Sequence, residues 1–254
     1  KVELAAIIGT LQATLTDFRY LRNVWKRNTE EEALLGLSMT GIMDNALTSG
    51  AEGSEALEKT LEDLREHAIK VNARWAKKLG IEQSAAITCV KPSGTVSQLV
   101  DSASGIHPRF SKQYIRRVRS DKKDPLAVFM EAAGFPVEQD VMSESSVVYS
   151  FPIKAPESSV VVKDVGAMQQ LEIWKTYQNF WCEHKPSITV YYTDDEFLQV
   201  AQWIWENFDL CSGISLLPVS DHVYQQAPYE DITEEKYDEL VAGMPKNVNW
   251  NDLV

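Results

Sequence analysis

The stretch Ala85–Val100 reads AAITCVKPSGTVSQLV. Its apolar first part, from Ala85 to Val90, predicts a buried strand, and the part from Thr95 onward is compatible with a helix. A short Pro-Ser-Gly-Thr turn joins the two. The first N–H groups of a helix lack partners within the helix, so a turn of this kind can bind phosphate. The stretch therefore predicts a strand–turn–helix unit with a phosphorylated ligand at the turn.

Three residue types in the turn suit an anion. Gly94 allows a ligand to approach the backbone closely. Ser93 and Thr95 carry hydroxyl groups that can donate hydrogen bonds. The alternative is an ordinary helix cap, for which serine and threonine are common. The spacing fits neither a P-loop nor a dinucleotide fingerprint.

Composition limits the possible classes. The 254 residues can form one large domain or two small ones, and 44% hydrophobic with 24% charged residues is an ordinary globular balance. The formal net charge of -12 argues against non-specific binding to nucleic acid and against attraction to an anionic membrane surface. No long apolar run and no signal-peptide pattern is present, so we expect a soluble, cytoplasmic protein.

The chain has three cysteines, Cys89, Cys182 and Cys211. None of them is part of a C-x-x-C pair, and the odd number gives no disulfide framework and no zinc site. We expect each to be a small buried side chain rather than a reactive thiol.

The first 83 residues are predicted to form a helical segment. Apolar residues from Leu4 to Phe18 repeat at helical spacing. A capping-box pattern at Thr29–Glu32, followed by apolar residues up to Met43, predicts a second helix. A third helix is expected from about Glu55 to Lys78, ending at Gly80.

Residues 84–254 are predicted to alternate between strands and helices. Extended segments are expected at Ser84–Val90, Phe110–Arg119, Ser146–Ile153, Ser187–Tyr192 and Cys211–Leu217. Helices are expected at Pro125–Ala133, Val165–Glu183, Thr193–Phe208 and Asp231–Val241. Buried strands that alternate with helices favour a parallel α/β arrangement, and there are too few strands here for a closed barrel.

Six short motifs of the sequence resemble those of ribonucleotide reductase, and they occur in the same order as in that family. They are Lys91–Gln98, Ser104–Phe110, Tyr114–Arg119, Glu183–Val190, Gly213–Pro218 and Ala227–Glu230. The resemblance is strongest to the class II type, which is monomeric, reduces triphosphates and depends on adenosylcobalamin. It implies that the chain is the C-terminal half of a ten-stranded α/β barrel with flanking N-terminal helices. It also implies the reduction of ribonucleoside triphosphates by thiyl-radical chemistry, with a dithiol or a thioredoxin-type protein as reductant.

The resemblance also implies a site. In the resembled family, backbone amides and hydroxyls of this segment hold the substrate's phosphates, which implicates Pro92, Ser93, Gly94, Thr95 and Val96 here. The family's Asn-Pro-Cys radical loop is not found in this sequence, so no catalytic residue and no metal ligand are assigned. Because the chain also lacks an initiator Met and the family's shuttle cysteines, we expect a fragment that is inactive without the remaining N-terminal part of the enzyme.

Other polar residues have simpler interpretations. Lys91 and the Arg116–Arg119 cluster are able to meet phosphate, but solvated or salt-bridged side chains are expected. His107 and His184 are expected to be structural. Tyr191 and Tyr192 are expected to pack in the core.

Two alternatives stay open at this point. The chain can be a non-catalytic partner half of a split enzyme, or part of a class I large subunit that needs an iron-containing radical partner. The class I enzyme uses a tyrosine pair on the last barrel strand, and Gly213–Leu217 has no tyrosine. The absence of this tyrosine pair favours a cobalamin radical source. Preference for triphosphate over diphosphate rests on the resemblance alone.

Overall fold

The computed structural model describes residues 1–219 and 224–253. In chain order its helices are α1 (Val2–Gln12), α2 (Asn23–Glu32), α3 (Ser54–Leu79), α4 (Val96–Leu99), α5 (Pro125–Ala132), α6 (Ala167–Phe180), α7 (Phe197–Glu206) and α8 (Glu234–Ala242). Its strands are β1 (Leu37–Ser38), β2 (Thr88–Cys89), β3 (Gln113–Asp121), β4 (Val137–Gln139), β5 (Ser146–Lys154), β6 (Ile188–Tyr192), β7 (Ile214–Pro218) and β8 (Tyr229–Asp231).

The chain divides into two compact units. Unit 1 contains Lys1–Arg109 and Ser158–Val219, and unit 2 contains Phe110–Glu157 and Ser220–Val254. Each unit is a region of dense packing. The boundary predicted at residue 83 rests instead on a change in sequence pattern. That boundary stays a prediction.

Unit 1 is an α/β unit with two parallel strand pairs. Strand β1 pairs with β2, and β6 pairs with β7. The Ser187 amide, just before β6, donates to the Val90 carbonyl, just after β2, at 3.1 Å. The chain entering β6 therefore lies beside the end of β2. The parallel arrangement is confirmed for this unit, and no closed barrel is formed by the described residues.

Helix α6 carries the core of unit 1. Trp174, Tyr177 and Trp181 are fully buried. The indole of Trp174 donates to the Pro186 carbonyl at 3.2 Å, and that of Trp181 donates to the Cys89 carbonyl at 2.8 Å. These bonds satisfy buried polar groups and fix the end of β2 and the start of β6 against one helix.

Helix α3 confirms the prediction of a long helix ending at Gly80. That glycine closes the helix in the left-handed conformation, at φ 69°. Buried Asn72 on the same helix is fully partnered, because its amide bonds both Thr10 and Ser84. The clasp ties α1, α3 and the approach to β2 together.

The helix predicted to begin at Thr29–Glu32 and to run through the following apolar residues is wrong. Those residues end α2 instead, and Ala33 adopts a left-handed conformation at φ 43°. The Leu35 and Leu37 amides then donate to the Ala86 and Ile87 carbonyls at 3.0 and 2.8 Å. Pairing with β2 thus overrides the helical spacing of the leucines.

Unit 2 is built on an antiparallel sheet in the order β4-β5-β3-β8. The extended segments predicted around β3 and β5, and the helix predicted near α5, are confirmed. The parallel arrangement predicted for residues 84–254 is wrong for this part. Strands β3 and β5 pair over nine residues each, a register that Tyr149 helps to fix by donating to the Ala127 carbonyl of α5 at 2.9 Å.

Candidate functional site

The turn Pro92–Val96 follows β2 in unit 1, with Val90 and Lys91 between them. Most of it faces solvent, and Val96 is 64% exposed. The helix predicted for Thr95–Val100 is a single turn, α4, so its dipole contributes little to anion binding. What the turn offers a ligand is individual donors rather than the end of a long helix.

Two backbone donors in the turn are unused. Within residues 1–219 and 224–253, the amides of Thr95 and Val96 donate to no protein acceptor. Thr95 occupies the N-cap position of α4, but its side chain makes no capping hydrogen bond. A Cβ placed on Gly94 meets no atom of residues 1–219 or 224–253 within 4 Å. The Thr95 hydroxyl, which would serve a plain cap, is therefore not used in one.

The Ser93 hydroxyl stabilises the turn through hydrogen bonds within the protein. Thr40 Oγ1 donates to the Ala103 carbonyl at 2.9 Å and lies 2.6 Å from Ser93 Oγ. Because Thr40 has only one proton, Ser93 is the donor in the bond between them. The Gly105 amide donates to both oxygens, at 3.0 and 3.1 Å. Ser93 thus uses its proton inside the protein and does not offer it to a ligand.

The loop after α4 closes against the same turn. Ser104 Oγ accepts from the Ser93 amide at 3.1 Å, and buried Ser97 donates to the Ser93 carbonyl. Gly105 has φ 56°, and a Cβ there would lie 2.9 Å from the Lys91 carbonyl oxygen. Only glycine fits this close approach. Both ends of the turn are therefore held in place, while the Thr95 and Val96 amides donate to no acceptor in the described residues.

A buried ion pair holds that loop in place. The Arg109 guanidinium bonds Asp44 through two nitrogens, both at 3.0 Å, and also donates to the Asp101 carbonyl at 2.7 Å. Asp44 in turn accepts from the Ala103 amide at 2.7 Å and from the Ser159 hydroxyl at 2.7 Å. The Arg109 side chain is only 3% exposed. The pair links the loop that supports the turn to two other segments of unit 1.

The charge of Asp44 depends on these partners. Burial by itself would raise the pKa of the carboxyl group, but hydrogen bonds from Arg109, Ala103 and Ser159 outweigh it, and the pKa is lowered. Asp44 is therefore ionised at neutral pH and matches the charge of Arg109. The motif that contains Arg109 was part of the resemblance, but nothing in the sequence marked Asp44 as the partner of Arg109 or Thr40 as the partner of Ser93.

His107 connects the loop to β6. Its Nδ1 lies 2.9 Å from the Ser104 carbonyl oxygen, and its Nε2 lies 2.9 Å from the Thr189 amide nitrogen. Because the amide can only donate, Nε2 is the acceptor, and Nδ1 carries the proton of a neutral ring. Both nitrogens are used. This geometry fits the structural role expected for His107.

Protonation of His107 is expected to weaken the fold. Burial, the larger effect, lowers its pKa, and the bond to Ser104 raises it less. The unfolded chain therefore takes up this proton at a higher pH, near about 6.5, than the folded chain does. The free energy of unfolding falls as pH drops below that value toward the folded pKa.

Denaturant unfolding at about pH 7.5 and about pH 5.5 measures this effect. The unmodified chain should lose more stability between the two values than His107→Gln, which cannot be protonated. Parallel profiles for the unmodified chain and His107→Gln would contradict the assignment.

The other candidates have ordinary surroundings. Lys91 is exposed, as expected. Arg117 pairs with Glu230, and Arg119 lies 3.3 Å from Asp140, both within unit 2. The salt-bridged interpretation of the arginine cluster therefore fits these two residues.

The cysteines are not activated. Cys89 and Cys182 are buried, and Cys211 is half-buried. Burial is the main cause that raises all three pKa values, that of Cys182 to about 12. A thiol in such surroundings is a poor nucleophile. No group of three or more His, Cys, Asp or Glu side chains in the described ranges is placed to hold a metal ion.

Helices of the membrane-spanning kind are not found either. Over residues 1–219 and 224–253, no helix combines sufficient length with the apolar character that crossing a bilayer requires.

Similarity in sequence points to one group of proteins. The adenosylcobalamin-dependent ribonucleoside-triphosphate reductase of Lactobacillus leichmannii is 28% identical over 258 residues, which cover 91% of this chain and 34% of that protein. The protein of the same name from Euglena gracilis is 28% identical over 272 residues, 98% of this chain and 37% of that protein. No family model matches the chain.

Similarity in structure agrees. A crystal structure of a B12-dependent class II ribonucleotide reductase superposes with a TM-score of 0.86 at 25% identity, over 100% of this chain and 39% of that one. The resemblance expected from the sequence words is thus confirmed, and the class II type with it. The chain is similar to adenosylcobalamin-dependent ribonucleoside-triphosphate reductases and spans about a third of the length of the curated relatives it matches.

Proposed function

We propose that this chain is part of an adenosylcobalamin-dependent ribonucleotide reductase and that it holds the phosphates of a ribonucleoside triphosphate on the turn Pro92–Val96. The single observation that carries the phosphate assignment is the pair of adjacent amides, those of Thr95 and Val96, that donate to no acceptor in the described part of the chain. Similarity to reductases over nearly the whole chain supports the substrate class.

The residues of the turn divide the work. The amides of Thr95 and Val96 and the Thr95 hydroxyl donate to phosphate oxygens, and Gly94 leaves room for them. Ser93 does not donate to the phosphates, and it stabilises the turn through its hydrogen bond with Thr40. Pro92 fixes the entry from β2. Holding the tail of the nucleotide positions its sugar, and positioning of this kind supplies a large part of catalysis in enzymes.

The radical chemistry belongs to other parts of the enzyme. The three thiols of this chain have raised pKa values, and its sequence contains no Asn-Pro-Cys motif. We therefore assign hydrogen abstraction from the ribose, and the dithiol or thioredoxin-type reductant that restores the enzyme, to the remaining N-terminal part and its partners. The parallel strands of unit 1 are proposed to form the C-terminal half of the ten-stranded barrel. A cytoplasmic location stays a prediction.

The cofactor has no assigned contacts in this chain. When bound, adenosylcobalamin supplies the radical. Two cavities of unit 1 measure about 600 and 590 Å³, which suits drug-sized ligands. A corrin with its adenosyl group and nucleotide tail exceeds that size, so the described cavities do not fit it. No step of the proposed mechanism is derived through it from these residues.

Competition binding tests the proposal. The chain is expected to bind a fluorescent ribonucleoside triphosphate saturably, and inorganic tripolyphosphate should displace it, because the turn contacts only the phosphates. The matching nucleoside without phosphate is the control and should not compete. Displacement by the nucleoside but not by tripolyphosphate would contradict the assignment of the turn.

A further inference from the structure

A cavity of about 590 Å³ lies next to the turn in unit 1. Its polar lining includes Lys185, Ser187, Thr189 and Ser212, and Pro92 of the turn forms part of the same wall. The Ser187 amide bonds the Val90 carbonyl at 3.1 Å, so the cavity begins where β2 passes into the turn. A ligand on the turn would therefore have this space beside it.

The charge of the lining is unusual for this chain. The net charge is -12, yet no carboxylate of residues 1–219 or 224–253 lines the cavity. Lys185 contributes a cation, and four residues contribute hydroxyl groups: Ser187, Thr189, Ser212 and Ser215. Other cavities of unit 1 differ, since one is lined by Asp164 and Glu172 and another by Glu30 and Glu82. The composition of this lining suits an anion.

Several hydrogen-bond donors at and near Lys185 have no acceptor among the described residues. Its ammonium lies 3.3 Å from the Ser212 carbonyl oxygen, which uses one of three N–H groups. In the described ranges, the amides of Ser212 and Gly213 donate to no acceptor. A Cβ on Gly213 would lie 2.8 Å from the Pro186 carbonyl oxygen, so only glycine fits here. His107 lines the cavity as a neutral wall, because both its nitrogens are bonded.

We propose that this cavity takes the distal phosphates of the nucleotide and that Lys185 makes the site prefer a triphosphate over a diphosphate. The inference rests on the proposed function, because it assumes that the nucleotide tail starts on the turn. The turn provides neutral donors close to the sugar, and the Lys185 ammonium provides a cation for the longer, more highly charged tail.

Lys185→Gln tests this, with the affinities for ATP and ADP measured on the full chain by calorimetry or fluorescence. Loss of a charge-assisted contact should weaken ATP binding by about tenfold and change ADP binding by less than about twofold. Lys59→Gln, on the exposed face of α3, removes the same charge elsewhere and should leave both affinities unchanged. Denaturant unfolding should show that Lys185→Gln keeps its stability, because the side chain is exposed.

The possible outcomes distinguish the role of Lys185 from the proposed phosphate binding by the turn. Equal weakening of ATP and ADP by Lys185→Gln, or no weakening of either, overturns the inference. If tripolyphosphate still displaces the nucleotide in that case, the turn keeps its role. If the chain shows no saturable nucleotide binding at all, both the cavity and the proposed function are overturned.

Discussion

Gly94→Val is expected to weaken nucleotide binding by about a hundredfold, because it would separate the phosphates from two amides, and a hydrogen bond to a charged group contributes about 1.5 kcal/mol or more. The branched side chain would occupy the space beside the Thr95 and Val96 amides. We expect it to do so with little loss of stability, since a Cβ at Gly94 meets no atom of the described residues within 4 Å. Titration of ATP against the unmodified and the variant chain measures the loss.

Two further variants make this result interpretable. Gly94→Ala adds a smaller group and should weaken binding less. Gly105→Val serves as a contrast, because its Cβ would lie 2.9 Å from the Lys91 carbonyl oxygen, so it should lower stability as well as binding. Unchanged ATP affinity in Gly94→Val, in a chain that still binds nucleotide, would mean that the turn is not where the phosphates lie.

Arg109→Ala is expected to lower the free energy of unfolding by about 3 kcal/mol or more, the usual result of removing one partner from a buried ion pair. Asp44 would keep its charge in a half-buried position and lose two hydrogen bonds. Because the pair supports the loop behind the turn, nucleotide affinity should fall too. Denaturant unfolding and ATP titration measure the two effects.

The exposed pair of Arg19 with Asp17 provides the matched control. Both side chains are more than three-quarters exposed, so Arg19→Ala should change stability by less than about 0.5 kcal/mol. Arg109→Lys keeps the charge but loses the two-pronged contact, and should lie between the two. If Arg109→Ala proves no more harmful than Arg19→Ala, the pair does not stabilise the loop.

Local patterns predicted the elements whose signals are complete within a few residues. The spacing of buried residues along α3 and the glycine that ends it, at position 80, were sufficient. So were the β-branched residues of β6. The turn Pro92–Val96 could be singled out for the same reason, since its glycine and hydroxyl residues are adjacent in the chain, and its binding of phosphate stays a prediction.

Features that depend on distant partners were missed. The leucines after Ala33 fit a helix by spacing, and only pairing with β2 makes them extended. The sheet of unit 2 also includes β8, which comes long after its partner β3 in the chain. The support of the turn by Thr40 and Asp44 was equally hidden, because hydrogen bonds across more than fifty residues leave no mark in a local pattern.

Ser93 differs from the other hydroxyl group of the turn, because it donates its proton to Thr40. The donors proposed for the nucleotide are therefore backbone amides, the Thr95 hydroxyl and the Lys185 ammonium, with no histidine and no carboxylate among them. The terminal phosphate of a nucleotide has a second ionisation at about pH 6, by analogy with phosphorylated side chains. We expect the affinity for the nucleotide to change over the pH range in which that phosphate gains or loses its proton.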